Sequence, residues 1–212
     1  MSLNLPIDIE SIKGFLSSEE GEALYGHALE ACSVRPCLEI GSYCGKSSVY
    51  LGLACKCRDS VLYSIDHHRG SEEHQLGEEY HDPDLYDESE GMVDSFREFR
   101  RTLLRAELDH HVIPIVASSE VASRYWSTPL GMVFIDGGHS LPSALTDYRC
   151  WAPAIVPGGI LAIHDIFPDP AEGGQAPHTI WKMAVASGLF DELAVTGTLG
   201  FLRRIDDGNV RE

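Results

Sequence analysis

The sequence predicts an α/β fold: a doubly wound, mostly parallel sheet of seven strands with an antiparallel hairpin at its C-terminal end. Short apolar segments alternate with helical patterns along the whole chain, which is typical of parallel strands joined by helices. Several segments, such as VLYSI and MVFI, are almost continuously apolar. Runs of this kind indicate strands that are covered on both faces.

The first half of the chain begins with a predicted helix and a strand. Ser17 or Ser18, followed by Glu19 and Glu20, predicts the start of the helix, with acids in its first turn. The elements that follow are predicted as a strand at Cys37 to Ile40, a helix from Ser47, a strand at 61–65, a helix over 92–108 and a strand at 112–116. Residues 67–91 carry little periodicity and many acids and histidines. So long a connection is usually functional or mobile.

The second half continues the alternation. Its elements are predicted as a short helix from Ser118 or Ser119 to Tyr125, a strand at 132–135, a helix over about 142–151, a strand at 160–163, a loop at 167–177, a helix at 180–187 and strands at 193–196 and 199–203. Pro157-Gly158-Gly159 is interpreted as the turn into the fifth strand. No repeat or linker divides the chain, so residues 1–212 are interpreted as one Rossmann-like domain, with residues 1–35 as an N-terminal helical cap.

The composition is that of an ordinary globular protein, with 43% hydrophobic and 23% charged residues. Its 16 basic and 33 acidic residues give a net charge of -17, which repels phosphate groups. We therefore expect neither nucleic acid nor an anionic membrane as a partner. No signal peptide or apolar membrane span is recognised, and the six cysteines fit no zinc-ribbon spacing. We expect reduced, buried thiols and a cytoplasmic location, and a homo-oligomer is compatible with the sequence.

A glycine turn at residues 41–45 (GSYCG) separates the strand at Cys37 to Ile40 from the helical pattern that begins at Ser47. Such a strand–turn–helix unit exposes backbone N–H groups and a helix N-terminus to a ligand. Gly41 allows the chain to turn without a Cβ clash, and Gly45 allows a ligand to approach the backbone closely. Glycines in this position also occur for structural reasons alone.

Polar side chains accumulate where the predicted strands end. The set is Glu39, Asp66, Ser118, Asp136, His139, His164 and Asp165. In an open α/β sheet, ligands bind outside the carboxyl ends of the strands, near the switch in strand order. Each residue has a structural alternative, such as Glu39 satisfying N–H groups of the turn, but the joint pattern predicts a binding site.

One part of this set fits a nucleoside. Asp66 lies where an acid commonly accepts hydrogen bonds from the two ribose hydroxyls of an adenosine. His67 beside it is suited to stack on the adenine, and Ser118 and Ser119 to bind the adenine edge. The two serines are equally suited to cap a helix.

The other part fits a cation and proton transfer. Asp136 and Asp165 follow strands that we expect to be neighbours, about 4.8 Å apart, so both carboxylates can reach one ion. Oxygen ligands suit magnesium, calcium or manganese. His139 and His164 are candidate bases, and His164 a candidate metal ligand. In the alternative interpretation, Asp136 contacts only the cofactor and His164 fills a turn.

At these residues the sequence resembles class I S-adenosylmethionine-dependent methyltransferases, with the greatest similarity to the branch of catechol-type and antibiotic-sugar O-methyltransferases. The four matching segments are LEIGSYCGKSS, YSIDHH, MVFIDGGHS and PGGILAIHD, in family order from about Cys37 to Asp165. The resemblance implies transfer of a methyl group to a small-molecule acceptor, most simply a hydroxyl, with possible help from a divalent cation.

The resemblance also implies roles for single residues. Gly41, Ser42, Tyr43 and Gly45, with Ser47 at the helix start, would form the loop under the methionine portion of the cofactor. Glu39 would orient that loop or meet the amino group. Asp66 would hold the ribose, and Asp136 and Asp165 a divalent cation such as magnesium. His164-Asp165 departs from the Asp-Asn of catechol-type enzymes, so a softer metal or a metal-free mechanism with a histidine base stays open.

Three other functions match parts of the sequence. Gly-Lys-Ser at 45–47 is similar to the end of a phosphate-binding loop, but three residues rather than four separate Gly41 from that tripeptide. A metal-dependent hydrolase would use Asp136, His139, His164 and Asp165 and leave the glycine turn without a role. A non-catalytic adenosyl-binding protein would leave that polar cluster idle.

Overall fold

The computed structural model describes residues 3–78 and 80–205, with a seven-stranded sheet at its centre. Residues 1–2 and 206–212 of the predicted domain, and residue 79 of the predicted loop, lie outside the described residues. The strands are β1 Cys37–Ile40, β2 Leu62–Asp66, β3 Tyr86–Asp87, β4 Met92–Val93, β5 Val112–Val116, β6 Leu130–Ile135, β7 Ile155–Ile163, β8 Phe190–Thr196 and β9 Leu199–Arg204. The helices are α1 Ser18–Ala31, α2 Lys46–Cys57, α3 Phe96–Arg105, α4 Ser119–Ser123, α5 Leu141–Trp151 and α6 Ala176–Ala186.

The order of the large sheet is β5-β2-β1-β6-β7-β9-β8. The first five strands pair in parallel, and β9 pairs antiparallel with both β7 and β8. This topology confirms the predicted doubly wound sheet and its C-terminal hairpin. Because the chain leaves β1 on one side toward β2 and is joined on the other by β6, the strand order reverses at β1. A crevice is expected above the carboxyl ends at that point.

Two apolar clusters cover the two faces of the sheet. One contains side chains of α1, α2 and α3, including Leu24, Leu51 and Phe99, and the other contains side chains of α5 and α6, including Trp151 and Ile180. The apolar strands predicted from the sequence are therefore buried between layers of helices. Among the described residues, no helix is both long and apolar enough to span a bilayer.

Local chemistry explains where several elements begin. Ser17 and Glu20 form a capping box at the start of α1, because each side chain bonds the backbone N–H of the other residue. Residues 92–95, predicted as helix, instead form β4 and a short irregular segment, and α3 begins at Phe96. The backbone N–H of Phe96 donates to the Asp94 carboxylate at 3.0 Å, which favours a helix start at that point.

The strand β7 begins five residues earlier than predicted. The predicted turn Pro157-Gly158-Gly159 lies within β7 as an irregularity in its pairing with β6, where Leu130 pairs with Ile155 but Met132 pairs with Ile160. Gly158 adopts a φ of 80°, a conformation that favours glycine. The glycine and proline therefore mark a bulge rather than the end of a loop.

Candidate active site

A cavity of about 850 Å³ lies over the carboxyl ends of the parallel strands. It is lined by eleven of the predicted site residues: Gly41, Ser42, Tyr43, Ser47, Asp66, His67, Ser118, Ser119, Asp136, His139 and Asp165. Strand register explains this grouping. Ile40 is level with Ile65 on one side and with Ile135 on the other, so the residues after these positions share one edge of the sheet.

The glycine turn is fixed to the end of β2 by Asp66. One carboxylate oxygen of Asp66 accepts hydrogen bonds from the backbone N–H groups of Ser42, at 3.0 Å, and Tyr43, at 2.8 Å. The other oxygen accepts from the N–H of His68 at 2.7 Å. Gly41 has a φ of 83°, and a Cβ there would overlap the carbonyl oxygen of Asp136. The turn therefore requires glycine and contacts β6 directly.

A buried hydrogen-bond chain lies at the β5 side of the cavity. The Ser119 hydroxyl donates to Asp147 at 2.5 Å, and the indole N–H of Trp151 donates to the Ser119 oxygen at 3.0 Å. Burial raises the pKa of Asp147 to about 6, although the Ser119 bond opposes the shift. Ser118 takes the N-cap position of α4 by its backbone, without a side-chain hydrogen bond to the helix.

Asp136, His139, His164 and Asp165 meet at the ends of β6 and β7, and we call this group the acidic corner. His139 Nε2 lies 3.0 Å from Asp165 Oδ2, and His164 Nδ1 lies 3.0 Å from Asp136 Oδ1 and 3.5 Å from Asp165 Oδ2. Asp136, His139 and Asp165 each offer one ligand atom, and these atoms lie within 4.8 Å of one another. The group combines two carboxylates with an imidazole at the wall of the cavity.

The protonation of the acidic corner follows from its contacts. Burial by itself lowers the pKa of His164, but the carboxylates of Asp136, Asp165 and Glu20 outweigh it and raise that pKa to about 12. Burial raises the pKa of Asp165, yet the bonds from His139 and His164 hold it well below its usual range. At neutral pH the corner therefore contains a buried imidazolium between carboxylates.

A family model described as a methyltransferase domain matches residues 38–166 of the chain. That segment runs from β1 to the residue after Asp165 and includes the glycine turn, Asp66 and the acidic corner. The chain belongs to this methyltransferase family. The resemblance to class I methyltransferases stated from four sequence motifs is thereby confirmed.

Solved structures share the fold of this methyltransferase. The O-methyltransferase NovP matches with a TM-score of 0.68 and 14% identity, over 90% of this chain and 81% of that chain. TomG from Streptomyces achromogenes, an O-methyltransferase in tomaymycin synthesis solved with S-adenosylmethionine, matches with a TM-score of 0.62 and 18% identity, over 91% of this chain and 82% of that chain. The O-methyltransferase of Bacillus cereus, solved with S-adenosylhomocysteine, matches with a TM-score of 0.59 and 14% identity, over 90% of this chain and 83% of that chain. At these identities the likeness concerns the fold.

Three predicted site residues do not line the cavity of the methyltransferase. Glu39 is fully buried, and one of its oxygens accepts hydrogen bonds from Ser48 and Ser64 while the other has no partner among the described residues. Burial raises the pKa of Glu39 to about 8. Glu39 thus ties β1 to α2 and β2, instead of bonding the N–H groups of the glycine turn.

Gly45 and His164 also lie outside the cavity lining. Gly45, with a φ of 91°, faces Phe99 on α3, since a Cβ at Gly45 would lie 3.3 Å from that ring. The His164 side chain is buried behind Asp136, and as an imidazolium it has no lone pair for a proton or a metal ion. His164 thus contacts Asp136 and Asp165 from outside the cavity lining, and its predicted roles as base and metal ligand stay predictions.

Sequence reasoning missed two acids of the site. Glu20 lies 3.5 Å from His164 Nε2 and also accepts from the backbone N–H and the hydroxyl of Thr198, at 2.8 Å and 2.9 Å. From the sequence, Glu20 was recognised only as an acid in the first turn of α1. Asp147 lies on the buried side of α5 with Ala144 and Trp151. An acid at an otherwise apolar helix position is the sequence signal that could have identified Asp147.

Aromatic side chains form the outer wall of the cavity. Phe15, Tyr43, His74 and Tyr80 line it, with ring centroids 5.2 Å apart for Phe15–Tyr80 and for Tyr43–His74. Lys13 Nζ lies 2.5 Å and 2.9 Å from carboxylate oxygens of Asp82 and Asp84, which joins the N-terminal segment to the predicted 67–91 loop. The 167–177 loop contributes Phe167 to the same cavity.

Proposed function

We propose that this methyltransferase transfers a methyl group from S-adenosylmethionine to a hydroxyl oxygen of a small molecule. The observation that carries the proposal is a single cavity that joins the glycine turn and Asp66 to the acidic corner. The similar folds of TomG, solved with S-adenosylmethionine, and of the Bacillus cereus enzyme, solved with S-adenosylhomocysteine, support this cofactor. A concave site of about 850 Å³ suits a small acceptor next to the cofactor.

The cofactor is assigned to the side of the cavity formed by β1, β2 and β5. The glycine turn, with Ser47 at the start of α2, supports the methionine portion. Asp66 accepts from a ribose hydroxyl through Oδ1, because that oxygen has one N–H partner, His68, and can accept a second bond, whereas Oδ2 already accepts two. His67, Ser118 and Ser119 line the part of the cavity that we assign to the adenine.

A divalent cation fits the acidic corner, because two carboxylates and an imidazole place ligand atoms within 4.8 Å of one another. Asp136, His139 and Asp165 are the residues that would hold it, and the mixed oxygen and nitrogen donors suit manganese as well as magnesium. Such an ion, when bound, supplies positive charge that lowers the pKa of the acceptor hydroxyl. His164 neutralises part of the carboxylate charge from behind.

Methyl transfer is an in-line displacement in which the acceptor oxygen forms a bond to the methyl carbon as the carbon–sulfur bond breaks. The acceptor proton has to leave. When no cation occupies the acidic corner, we assign that proton to His139, which lines the cavity and contacts Asp165; a His139 that ligated a cation would have no lone pair for it. The carboxylate of Asp165 stabilises the imidazolium that results. The 67–91 and 167–177 loops select the acceptor and exclude water.

Calorimetry with S-adenosylhomocysteine and with ATP tests the cofactor assignment. We expect binding of S-adenosylhomocysteine and none of ATP; the reverse result would contradict the proposal. Assays for methyl transfer with and without a chelator then test the reaction. Hydrolysis without methyl transfer would favour a metal-dependent hydrolase, and cofactor binding without turnover of any acceptor would favour a non-catalytic adenosyl-binding protein.

A further inference from the structure

Three cysteine thiols meet in the apolar core at the amino end of the sheet, opposite the cavity. The Sγ atom of Cys32 lies 3.1 Å from that of Cys37 and 3.3 Å from that of Cys55. Cys32 follows α1, Cys37 begins β1 and Cys55 lies near the end of α2. The fold, rather than a sequence motif, brings them together.

Cys32 is the common member of both close pairs and the most accessible of the three. Its exposed fraction is 6%, against 0% for Cys37 and Cys55, and it is followed by the exposed residues Ser33 and Val34. The thiols of Cys37 and Cys55 lower the pKa of Cys32, while their contacts with Cys32 raise the pKa of Cys37 and of Cys55. Cys32 is therefore placed as the nucleophile, with two alternative partners.

We propose that Cys32 is the obligatory member of a buried disulfide site that pairs reversibly with either Cys37 or Cys55 when the protein meets a peroxide. The Cys32 sulfur attacks one peroxide oxygen, the O–O bond breaks, and a sulfenic acid and water form. The second thiol then attacks the Cys32 sulfur, the S–O bond breaks and a second water leaves. Two thiols lose two electrons and two protons, and one peroxide becomes two waters.

The surroundings favour a disulfide over a metal ion. The sulfurs belong to the apolar cluster that contains Ala28, Ala54 and Leu62. Three thiolates around a divalent ion would leave a net negative charge in this cluster, and burying such a charge is costly. A disulfide is uncharged, so its formation leaves no such charge in the core.

Peptide mapping after treatment with hydrogen peroxide tests the proposal. The protein is denatured, alkylated, and cleaved with trypsin, which separates Cys55 from the other two after Lys46. We expect a Cys32–Cys37 bond within one peptide and a Cys32–Cys55 bond between two peptides, both reversed by a thiol reductant. Fragmentation of the first peptide distinguishes Cys37 from Cys44.

Single variants give a distinctive pattern. C37S should keep the bond between the peptides, C55S should keep the bond within one peptide, and C32S and C32A should lose both. C57S is the matched control, because Cys57 is exposed and lies outside the trio. Circular dichroism establishes that each variant is folded, and binding of S-adenosylhomocysteine should be equal in oxidised and reduced protein, since none of the three thiols lines the cavity.

Three results would overturn the proposal. One is a wild-type protein whose trio stays reduced at a peroxide dose that oxidises Cys57. Another is a disulfide that persists in C32S or C32A, which would make Cys32 dispensable. The third is stoichiometric zinc or copper in the purified protein that is lost in each of the three serine variants, which would assign the trio to a metal.

Discussion

The two sides of the cavity are held by different kinds of contact. At the glycine turn, Asp66 accepts hydrogen bonds from the backbone N–H groups of Ser42, Tyr43 and His68. In the acidic corner, a buried imidazolium at His164 lies between carboxylates. Peptide N–H donors carry no net charge, whereas the contacts of the corner depend on the charges of several side chains. Neutralising one acid of the corner should therefore disable the reactive side and leave the binding side as it is.

The largest effect expected is the loss of turnover in Asp165→Asn. The amide cannot stabilise an imidazolium at His139 as a carboxylate does, so turnover should fall by about 100- to 10,000-fold. Binding of S-adenosylhomocysteine should be unchanged by calorimetry. Asp191→Asn, at an exposed position on β8 outside the cavity lining, is the control and should leave both quantities as they are. Weaker cofactor binding in Asp165→Asn would break the division between the two sides.

The converse result is expected for Asp66→Asn. An amide offers one acceptor oxygen instead of two charged ones, so affinity for S-adenosylhomocysteine should fall by about 10- to 100-fold. Turnover at saturating cofactor should change much less. Asp109→Asn, at an exposed position outside the cavity lining, serves as the comparison. A variant that bound normally would remove Asp66 from the cofactor site.

Glu20→Gln should weaken the ionic contacts of the acidic corner without touching the cavity wall. We expect turnover to fall by about tenfold and the pKa of His164 to decrease. NMR of the imidazole protons measures that pKa. In the wild type the His164 pKa is raised, so its stabilising contribution is complete below the unfolded value and is lost as the pH rises through about 12. The lowered pKa of Glu20 means that its contribution is lost in acid. Glu19→Gln, in the same helical turn, should reproduce the wild type.

The smallest effect on the cavity and its chemistry is expected from Glu39→Gln. Burial is the main reason that the Glu39 pKa is raised to about 8. Above the ordinary pKa of a glutamate and below pH 8, this carboxyl is therefore ionised in the unfolded chain but protonated in the folded protein. The free energy of unfolding of the wild type should therefore fall between pH 5 and pH 8 by up to about 4 kcal/mol more than that of the amide variant. Urea unfolding at several pH values measures this, with the exposed Glu88→Gln as control. If the free energies of unfolding of the wild type and of the amide variant changed in parallel with pH, Glu39 would be ionised in the folded protein.

The sequence predicted the residues whose position follows from a strand end. Asp66 and Asp136 come directly after an apolar run and Asp165 one residue later, and parallel pairing places such residues on one edge of the sheet. The charge of His164 was not predicted, because it depends on the close approach of Asp136 and Asp165 to a buried ring and, to a smaller extent, on Glu20 from a distant helix. The same holds for Phe15 and Tyr80, whose contact depends on how two irregular segments pack.

Glu20 also links the beginning and the end of the chain to the chemistry between them. It receives two hydrogen bonds from Thr198, in the turn of the final hairpin, and lies against His164. A nascent chain that has emerged as far as α6 already has every parallel strand and both acids of the corner, but not these two donors. The hairpin that completes the sheet therefore also fixes Glu20 against His164, and a chain that stopped after α6 would lack two of the hydrogen bonds that position this acid.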